Sequence, residues 1–307
     1  MKKIAELVLA FSLIAKSGVT APEMPLVAGK EPVIESVHVT IPGMLGERKL
    51  AYLSDLHIIS MIENLSDIDK EKLSIRQKWA SNGDVISKDQ WPEWVEYLNA
   101  GDFDYVLFGA DMIDFASEDT IHAFKGGLKN LKKPYMYVRA DHDYLPYQGS
   151  GLTDRDGMEL QKTVCEYADA FTKDFGDFIL FGWNNSTSRM TEAGITKWRE
   201  VLATGKPVIV LTHVPIEPLS DDSLATISKN LFRGEELLWG LNTNYYEPDD
   251  YTREFLCDIY GEGSPVKEIL CGHLHYTWDG FVSPTVHQHV FSPAFQGYIG
   301  IIEISGR

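Results

Sequence analysis

Short runs of apolar residues recur along the chain, and polar segments with helical periodicity separate them. The runs are VHVTIP, KLAYLS, YVLFG, PYMYVRA, DFILFG, PVIVLTH, EILCG and YIGIIEI. Their length and their content of β-branched and aromatic residues are typical of buried strands. Segments 89–101, 156–176 and 191–205 have helical character and end in glycine, a helix stop signal. This alternation of strands and helices predicts a layered α/β fold.

The first 36 residues have a different pattern from the rest of the chain. Residues 1–21 begin with Lys2 and Lys3 and continue into a short apolar stretch, which fits either a secretory signal or an amphipathic helix. Residues 22–36 are punctuated by proline and glycine and are predicted to be a linker or arm. We therefore predict an N-terminal segment over 1–36, with weak membrane association through residues 4–15 as one alternative, and a single domain over 37–307. A cytoplasmic location is slightly favoured over a secreted or membrane-associated one.

The charge of the chain limits the partners that it can bind. Acidic residues outnumber basic ones by 45 to 28, and the formal net charge is −17. A chain this acidic repels polyanions, so we expect no binding to a nucleic-acid backbone. The three cysteines lack zinc-finger spacing, and their odd number does not suggest a disulfide framework.

Aspartate and histidine residues follow five of the apolar runs. They are Asp55, His57, Asp111, Asp114, Asp141, His142, Asp143, His213, His273 and His275. Ligands of open α/β sheets bind beyond the carboxyl ends of the strands. One such residue is usually a helix cap or a hydrogen-bonded histidine. Five groups in equivalent positions instead predict a shared metal site.

In order and spacing, these motifs resemble those of the calcineurin-like metallophosphoesterases. The order is DxH, GDxxD, GNH(D/E), a single histidine and GHxH, and the resemblance runs from about Leu50 to the C-terminus. The long N-terminal arm is similar to that of membrane-associated or secreted bacterial members. The resemblance implies a four-layer α-β-β-α sandwich with two facing mixed β-sheets. It also implies two divalent or mixed-valence transition-metal ions, Mn, Fe or Zn.

The resemblance also implies a role for each residue. The first metal would be held by Asp55, His57 and His275, Asp111 would bridge, and the second metal would be held by Asp141, His213 and His273. His142 would lie near the substrate phosphorus, oriented by Asp114, and would stabilise or protonate the leaving oxygen. A hydroxide shared by the metals would attack the phosphate. The expected function is hydrolysis of a small phosphodiester or phosphomonoester.

The chain departs from the family pattern at three positions. Ala110 and Ala140 stand where the family usually has glycine, a mild change if φ is negative. Asp141 stands where the family has asparagine, and an ionised carboxylate donates no hydrogen bond to a phosphate oxygen. Retained hydrolase activity is favoured because the other ligands are present. The alternative is a catalytically impaired metal-binding module.

A second His-x-His segment occurs later, in the run VHQHV. His287 and His289 would lie on one face of a predicted strand. Since no further ligands lie nearby in the sequence, a rim pair is favoured over a third metal site.

Overall fold

A computed structural model describes residues 24–62, 65–165, 168–186 and 189–306. The predicted N-terminal helix or signal, with its membrane contact through residues 4–15, lies outside these ranges. Within them, no helix has the length and apolar character needed to cross a membrane.

Five strands form the first sheet. They are β1 (Val33–Thr40), β2 (Glu47–Leu53), β5 (Tyr105–Gly109), β6 (Tyr135–Val138) and β13 (Tyr298–Ser305). Their spatial order is β1-β13-β2-β5-β6. The pair β13–β2 is antiparallel and the other neighbours are parallel. The sheet is therefore mixed. The carboxyl ends of β2, β5 and β6 lie at the same edge.

Six strands form the second sheet. They are β7 (Ala170–Asp174), β8 (Ile179–Trp183), β9 (Val208–Leu211), β10 (Val266–Cys271), β11 (Trp278–Ser283) and β12 (Val286–Val290). Their spatial order is β11-β12-β10-β9-β8-β7. The four inner strands are parallel, and the two edge strands are antiparallel to their neighbours. A small hairpin of β3 (Ser81–Asn82) and β4 (Val85–Ile86) stands apart from both sheets.

Seven α-helices lie in the described ranges. They are α1 (Asp67–Trp79), α2 (Ser87–Ala100), α3 (Glu118–Asn130), α4 (Asp154–Lys162), α5 (Glu192–Ala203), α6 (Ser223–Leu231) and α7 (Asp250–Tyr260), and a 3₁₀ turn follows at Ala294–Gln296. Several begin at a residue whose side chain accepts a backbone N–H of the first turn, which stabilises the helix start. These N-cap residues are Ser66, Ser117, Thr153, Thr191 and Asp249.

Strand alternation divides the core into layers. In β2, Leu50 and Tyr52 pack between the two sheets, where Tyr52 stacks on Phe291 with ring centroids 4.2 Å apart. The alternate residues Ala51 and Leu53 join the apolar cluster under α2 and α3. A separate cluster lies between the second sheet and helices α5 and α7. The predicted four-layer α-β-β-α sandwich with two facing mixed sheets is confirmed.

The structure corrects one predicted helix. The segment 156–176 is helical only as far as Lys162, and Ala170–Asp174 form the edge strand β7. Local periodicity did not distinguish the two because β7 is short and mostly exposed, and its pairing with β8 fixes it as a strand. The boundary between 1–36 and 37–307 stays a prediction, although β1 already begins at Val33.

Candidate metal centre

The predicted site residues follow strands of both sheets at the carboxyl end of each strand. Asp55 and His57 come after β2, Asp111 and Asp114 after β5, Asp141 and His142 after β6, His213 after β9, and His273 and His275 after β10. Main-chain hydrogen bonds join these loops, including Asp55 N to Ala110 O at 3.0 Å and His57 N to Asp111 O at 2.9 Å. Both sheets therefore contribute to one set of connected loops.

The backbone of these loops is strained at the residues that present the side chains. Left-handed φ angles occur at Asp55 (53°), His57 (48°), Asp111 (48°), His273 (72°) and His275 (51°). Each such residue costs about 1–2 kcal/mol, and strain of this kind concentrates at functional sites. The cross-loop hydrogen bonds hold these conformations in place.

The two alanines that replace glycine differ in conformation. Ala110 has φ 76°, so the condition under which the change was expected to be mild is not met there. Its methyl group is fully buried in the core between the sheets. Ala140 is absent from the described residues with positive φ, so the mild interpretation holds for Ala140.

The first group of ligand atoms is formed by Asp55, His57 and His275. His275 Nε2 lies 3.2 Å from Asp55 Oδ1 and 3.1 Å from His57 Nε2. His57 donates through Nδ1 to the Asp114 carboxylate at 2.7 Å. In the neutral ring Nε2 therefore carries a lone pair that can bind a metal. Donor atoms that bind one transition metal at about 2.0–2.2 Å lie within about 4 Å of each other, so this arrangement fits a shared cation.

The second group is formed by Asp55, Asp111 and His213. His213 Nε2 lies 3.1 Å from Asp111 Oδ2 and 3.9 Å from Asp55 Oδ1. His57 Nε2 lies 3.7 Å from the same Asp111 oxygen, so this carboxylate stands between imidazoles of both groups. His213 Nδ1 donates to the main-chain oxygen of Gly109 at 2.8 Å, which leaves Nε2 facing the carboxylates.

Two buried polar atoms show that the residues fit a bound cation. Asp111 Oδ1 and His273 Nε2 have no hydrogen-bond partner among the residues that the structure describes. Burial and the neighbouring His213 lower the pKa of His273 to about 3, so its ring is neutral and can act as a metal ligand. An unsatisfied buried carboxylate oxygen would be costly, and a metal ion would satisfy it.

The charged groups of the centre shift each other's pKa strongly. Burial opposes protonation of His213, but Asp111 and Asp55 outweigh it and raise its pKa to about 10. Burial favours the neutral acid at Asp55, but His213 and His275 lower its pKa to about 2. The pocket therefore holds ionised carboxylates that stabilise positive charge beside them.

Two predicted metal ligands lie outside the three-residue groups. His273 is packed against the His213 ring, with centroids 5.1 Å apart, but its nitrogen is not within ligand distance of two other donors in the described chain. Asp141 is partly exposed, and its Oδ1 accepts a hydrogen bond from Ser186 Oγ at 2.7 Å. Their assignment to the second metal stays a prediction.

Asp114 contacts His142 in a different way from the one expected. The structure places its carboxylate on His57, whereas His142 Nδ1 donates to the main-chain oxygen of Asp114 at 2.8 Å. The shortest carboxylate approach to His142 is 3.4 Å. The backbone of Asp114 therefore orients His142, because the Asp114 carboxylate already accepts a hydrogen bond from His57.

Sequence reasoning missed the function of Asp143. This carboxylate is fully buried and accepts backbone N–H groups from four residues of the two neighbouring loops. These are Asp111, Met112, Ile113 and Ala140, at 2.8–3.2 Å. It therefore joins the loop that carries Asp111 to the loop that carries His142. Its place beside His142 in the motif was the available signal.

Helix α1 contributes two residues that sequence reasoning did not assign. Arg76 donates to both oxygens of Asp114, through Nε at 2.9 Å and Nη2 at 2.7 Å. The Trp79 ring lies 5.3 Å from that of His57 and 5.5 Å from that of His275. Nothing in the local pattern of α1 indicated this position.

The second His-x-His segment is paired with acids. His287 Nδ1 lies 2.9 Å from Glu268 Oε1, and His289 Nδ1 lies 2.9 Å from Asp279 Oδ1. These residues do not form a three-ligand group in the described part of the chain. The geometry therefore agrees with the favoured rim pair.

The sequence matches the family model described as calcineurin-like phosphoesterase over residues 48–277. No curated protein sequence matches the chain. A dimetal phosphatase from Danio rerio is 10% identical with a TM-score of 0.48, and the alignment covers 81% of this chain and 88% of that one. A phosphopantetheinyl hydrolase from Mycobacterium tuberculosis is 13% identical with a TM-score of 0.41, covering 81% and 91%.

A purple acid phosphatase from yellow lupin (Lupinus luteus) seeds is 14% identical with a TM-score of 0.51. The alignment covers 84% of this chain and 46% of the lupin chain, so this chain spans about half the length of that enzyme. At this identity the likeness concerns the fold alone. The family itself follows from the match over most of the chain: this protein belongs to the calcineurin-like phosphoesterases and is a metal-dependent phosphoric ester hydrolase.

Proposed function

We propose that the chain hydrolyses a small-molecule phosphate ester, either a monoester or a diester, at a dinuclear transition-metal centre. The observation that carries this proposal is the convergence of donor atoms from separate loops in one buried pocket. Oxygens of Asp55 and Asp111 lie within 3.1–3.9 Å of imidazole nitrogens from His57, His213 and His275. Phosphate chemistry fits because the family acts on phosphoric esters.

The proposed ligands divide into two sets that share Asp111. The first set is Asp55, His57 and His275, and the second is Asp141, His213 and His273. Bound cations would lower the pKa of a coordinated water molecule and bind phosphoryl oxygens. The position of the Asp111 carboxylate between His57 and His213 supports its bridging role.

His142 is proposed to hold the proton that the leaving oxygen receives. Burial disfavours its charged form, but Asp111, Asp114 and Asp141 outweigh burial and raise its pKa to about 9. In the metal-free protein its ring therefore carries a proton at neutral pH. Because Nδ1 is bonded to the Asp114 main chain, Nε2 is the nitrogen left for a substrate. A positioned acid of this kind contributes typically 10²–10⁴-fold to the rate.

Asp141 is the position that decides between an efficient enzyme and an impaired metal-binding module. Its carboxylate adds negative charge where an anionic substrate would bind, and Ser186 already donates to it. We favour retained hydrolysis because His142 and the other proposed ligands are present. The net charge of −17 supports a small substrate over a polyanion.

The test is turnover of aryl phosphate monoesters and diesters after reconstitution with Mn²⁺, Zn²⁺ or Fe²⁺. His142→Ala should keep its metal content and lose about 10²–10⁴-fold in kcat. His122→Ala, at an exposed position of α3, is the matched control and should behave as wild type. An unchanged kcat in His142→Ala would exclude the proposed acid.

The Asp141→Asn variant distinguishes an active hydrolase from a catalytically impaired metal-binding module. If the wild-type protein binds metal but hydrolyses neither ester, and Asp141→Asn gains turnover, the impaired module is correct. If the wild-type protein turns over ester in a metal-dependent way, the module is excluded.

A further inference from the structure

The last turn of α1 faces the centre. Arg76 and Trp79 are three residues apart and so lie on the same side of the helix. The guanidinium carbon of Arg76 lies 3.8 Å from the centre of the Trp79 ring, a cation–π contact. The indole is 41% exposed and also touches Phe295, with ring centroids 4.8 Å apart. Trp79 therefore packs against the guanidinium, and the carboxylate of Asp114 accepts hydrogen bonds from its Nε and Nη2.

The Asp114 carboxylate is buried and has three neighbouring side chains that can donate hydrogen bonds to it, from His57, Arg76 and His142. Its side chain is 4% exposed. Oδ1 accepts from His57 Nδ1 and from Arg76 Nη2, both at 2.7 Å, and Oδ2 accepts from Arg76 Nε at 2.9 Å. His142 Nδ1 is 3.4 Å from Oδ1 and takes the main-chain oxygen instead.

A carboxylate attached through a single bond turns easily, because this terminal torsion has a broad energy minimum. Two parallel hydrogen bonds from a planar guanidinium remove that freedom, since they fix the plane of the carboxylate as well as its distance. With Arg76 in place, Oδ1 stays directed at His57. Without it, rotation toward His142 would be open.

We propose that Arg76 is a positioning residue of the metal centre: its guanidinium fixes the Asp114 carboxylate on His57 and keeps it from His142. This inference rests on the proposed function, in which His57 is a metal ligand. Its consequence is that Nε2 of His57 faces the cation with the correct tautomer, while His142 is left to the substrate. Partners that orient a metal-bound imidazole are worth about 10–100-fold in metal affinity or activity.

The test measures binding of Co²⁺ and Mn²⁺ alone, by competition with a chelator, together with the visible spectrum of bound Co²⁺. Arg76→Ala should weaken affinity for the site that includes His57 by about 10–100-fold and change the Co²⁺ spectrum. Arg76→Lys keeps the positive charge but loses the paired hydrogen bonds of the planar guanidinium, so it should recover only part of the metal affinity. Lys78→Ala, which removes an exposed charge from the same turn, should leave both readouts unchanged.

Thermal unfolding of each variant without metal shows whether it is folded. The inference would be overturned if the Arg76→Ala variant is folded and binds Co²⁺ with the affinity and the spectrum of the wild-type protein. So would full recovery in Arg76→Lys, because charge alone would then suffice. If the wild-type protein binds metal but shows no turnover, the proposed function fails while the affinity series still decides the role of Arg76.

Discussion

The two His-x-His segments of this chain lie at neighbouring strands, one just beyond β10 and one within β12, and differ in what surrounds them. His273 and His275 follow the end of β10, and both have left-handed backbone angles. His287 and His289 lie inside β12, which pairs in parallel with β10. The same three-letter pattern therefore occurs once in a strained loop and once in regular sheet.

The partners of the two segments also differ. His275 shares its surroundings with a carboxylate and an imidazole from another part of the chain, at 3.1–3.2 Å. His287 and His289 each have a carboxylate on an adjacent strand, Glu268 and Asp279 respectively. Donor atoms that face one point can bind a cation, whereas His287 and His289 belong to no three-ligand group among the described residues.

The largest predicted contrast is in metal binding and rate. His275→Ala should lose at least about 100-fold in metal-dependent turnover, because even residues that merely orient a ligand are worth 10–100-fold. His289→Ala should keep wild-type turnover and metal content. Metal analysis and kcat/KM for both variants check this. Equal losses would mean that β12 also binds an essential metal.

The next contrast is in stabilisation by metal. A cation at 100 times its Kd should raise the free energy of unfolding by about 2.7 kcal/mol, if it binds only the folded state. Asp111→Ala should abolish this gain. Asp279→Ala removes an exposed acid from the group of Glu268, Asp279, His287 and His289, here called the β12 cluster, and should retain the gain. Denaturant unfolding with and without Mn²⁺ measures the difference. Persistence of the full gain in Asp111→Ala would contradict the bridging assignment.

A smaller effect is expected from the strained loop itself. Ala110→Gly relieves a left-handed alanine, whereas Ala140→Gly only removes a buried methyl group and adds backbone freedom. The first variant should therefore be more stable than the second by about 1–2 kcal/mol, as judged by denaturant unfolding. If the order is reversed, the backbone at Ala110 is not strained.

The smallest effect concerns pH and the β12 cluster. His287 donates a hydrogen bond to Glu268, and this bond outweighs burial and, with Asp279, raises the pKa of His287. His289 approaches the same Asp279 oxygen as His287 does. A raised pKa in the folded state gives stability that is present below the unfolded value, about 6.5, and is lost as pH rises through the folded value. The pair also needs Glu268 ionised, and burial raises the pKa of that acid.

The wild-type protein should therefore exceed His287→Gln in thermal stability most near pH 6, and the difference should shrink toward pH 8. Thermal melts at several pH values, recorded without metal, provide the measurement. Curves that stay parallel over this range would show that His287 does not gain a proton on folding.

Much of the fold could be predicted because its signals are local. Every apolar run singled out in the sequence contributes to a strand, and α2 and α5 fall on predicted helices. β7 was missed because a short, largely exposed edge strand has no distinctive periodicity. Its state depends on β8, which lies several residues later in the chain.

The candidate site divides in the same way. Asp55, Asp111, His213 and His275 stand in short motifs at strand ends, so the sequence alone could bring them forward. Arg76 could not be found in this way, because its partner Asp114 is 38 residues away. The choice of the Asp114 carboxylate between His57 and His142 also depends on distances of a few tenths of an ångström, which no pattern encodes.

The sequence by itself determined the layered fold, the family and the residue types able to hold cations, since hydrophobic alternation and motif spacing act over short stretches. The tertiary structure alone decided which donors face one point, which alanine is strained and which imidazole receives each carboxylate. These choices depend on packing two sheets and a helix turn against one another. The contacts that decide them join residues far apart in the chain.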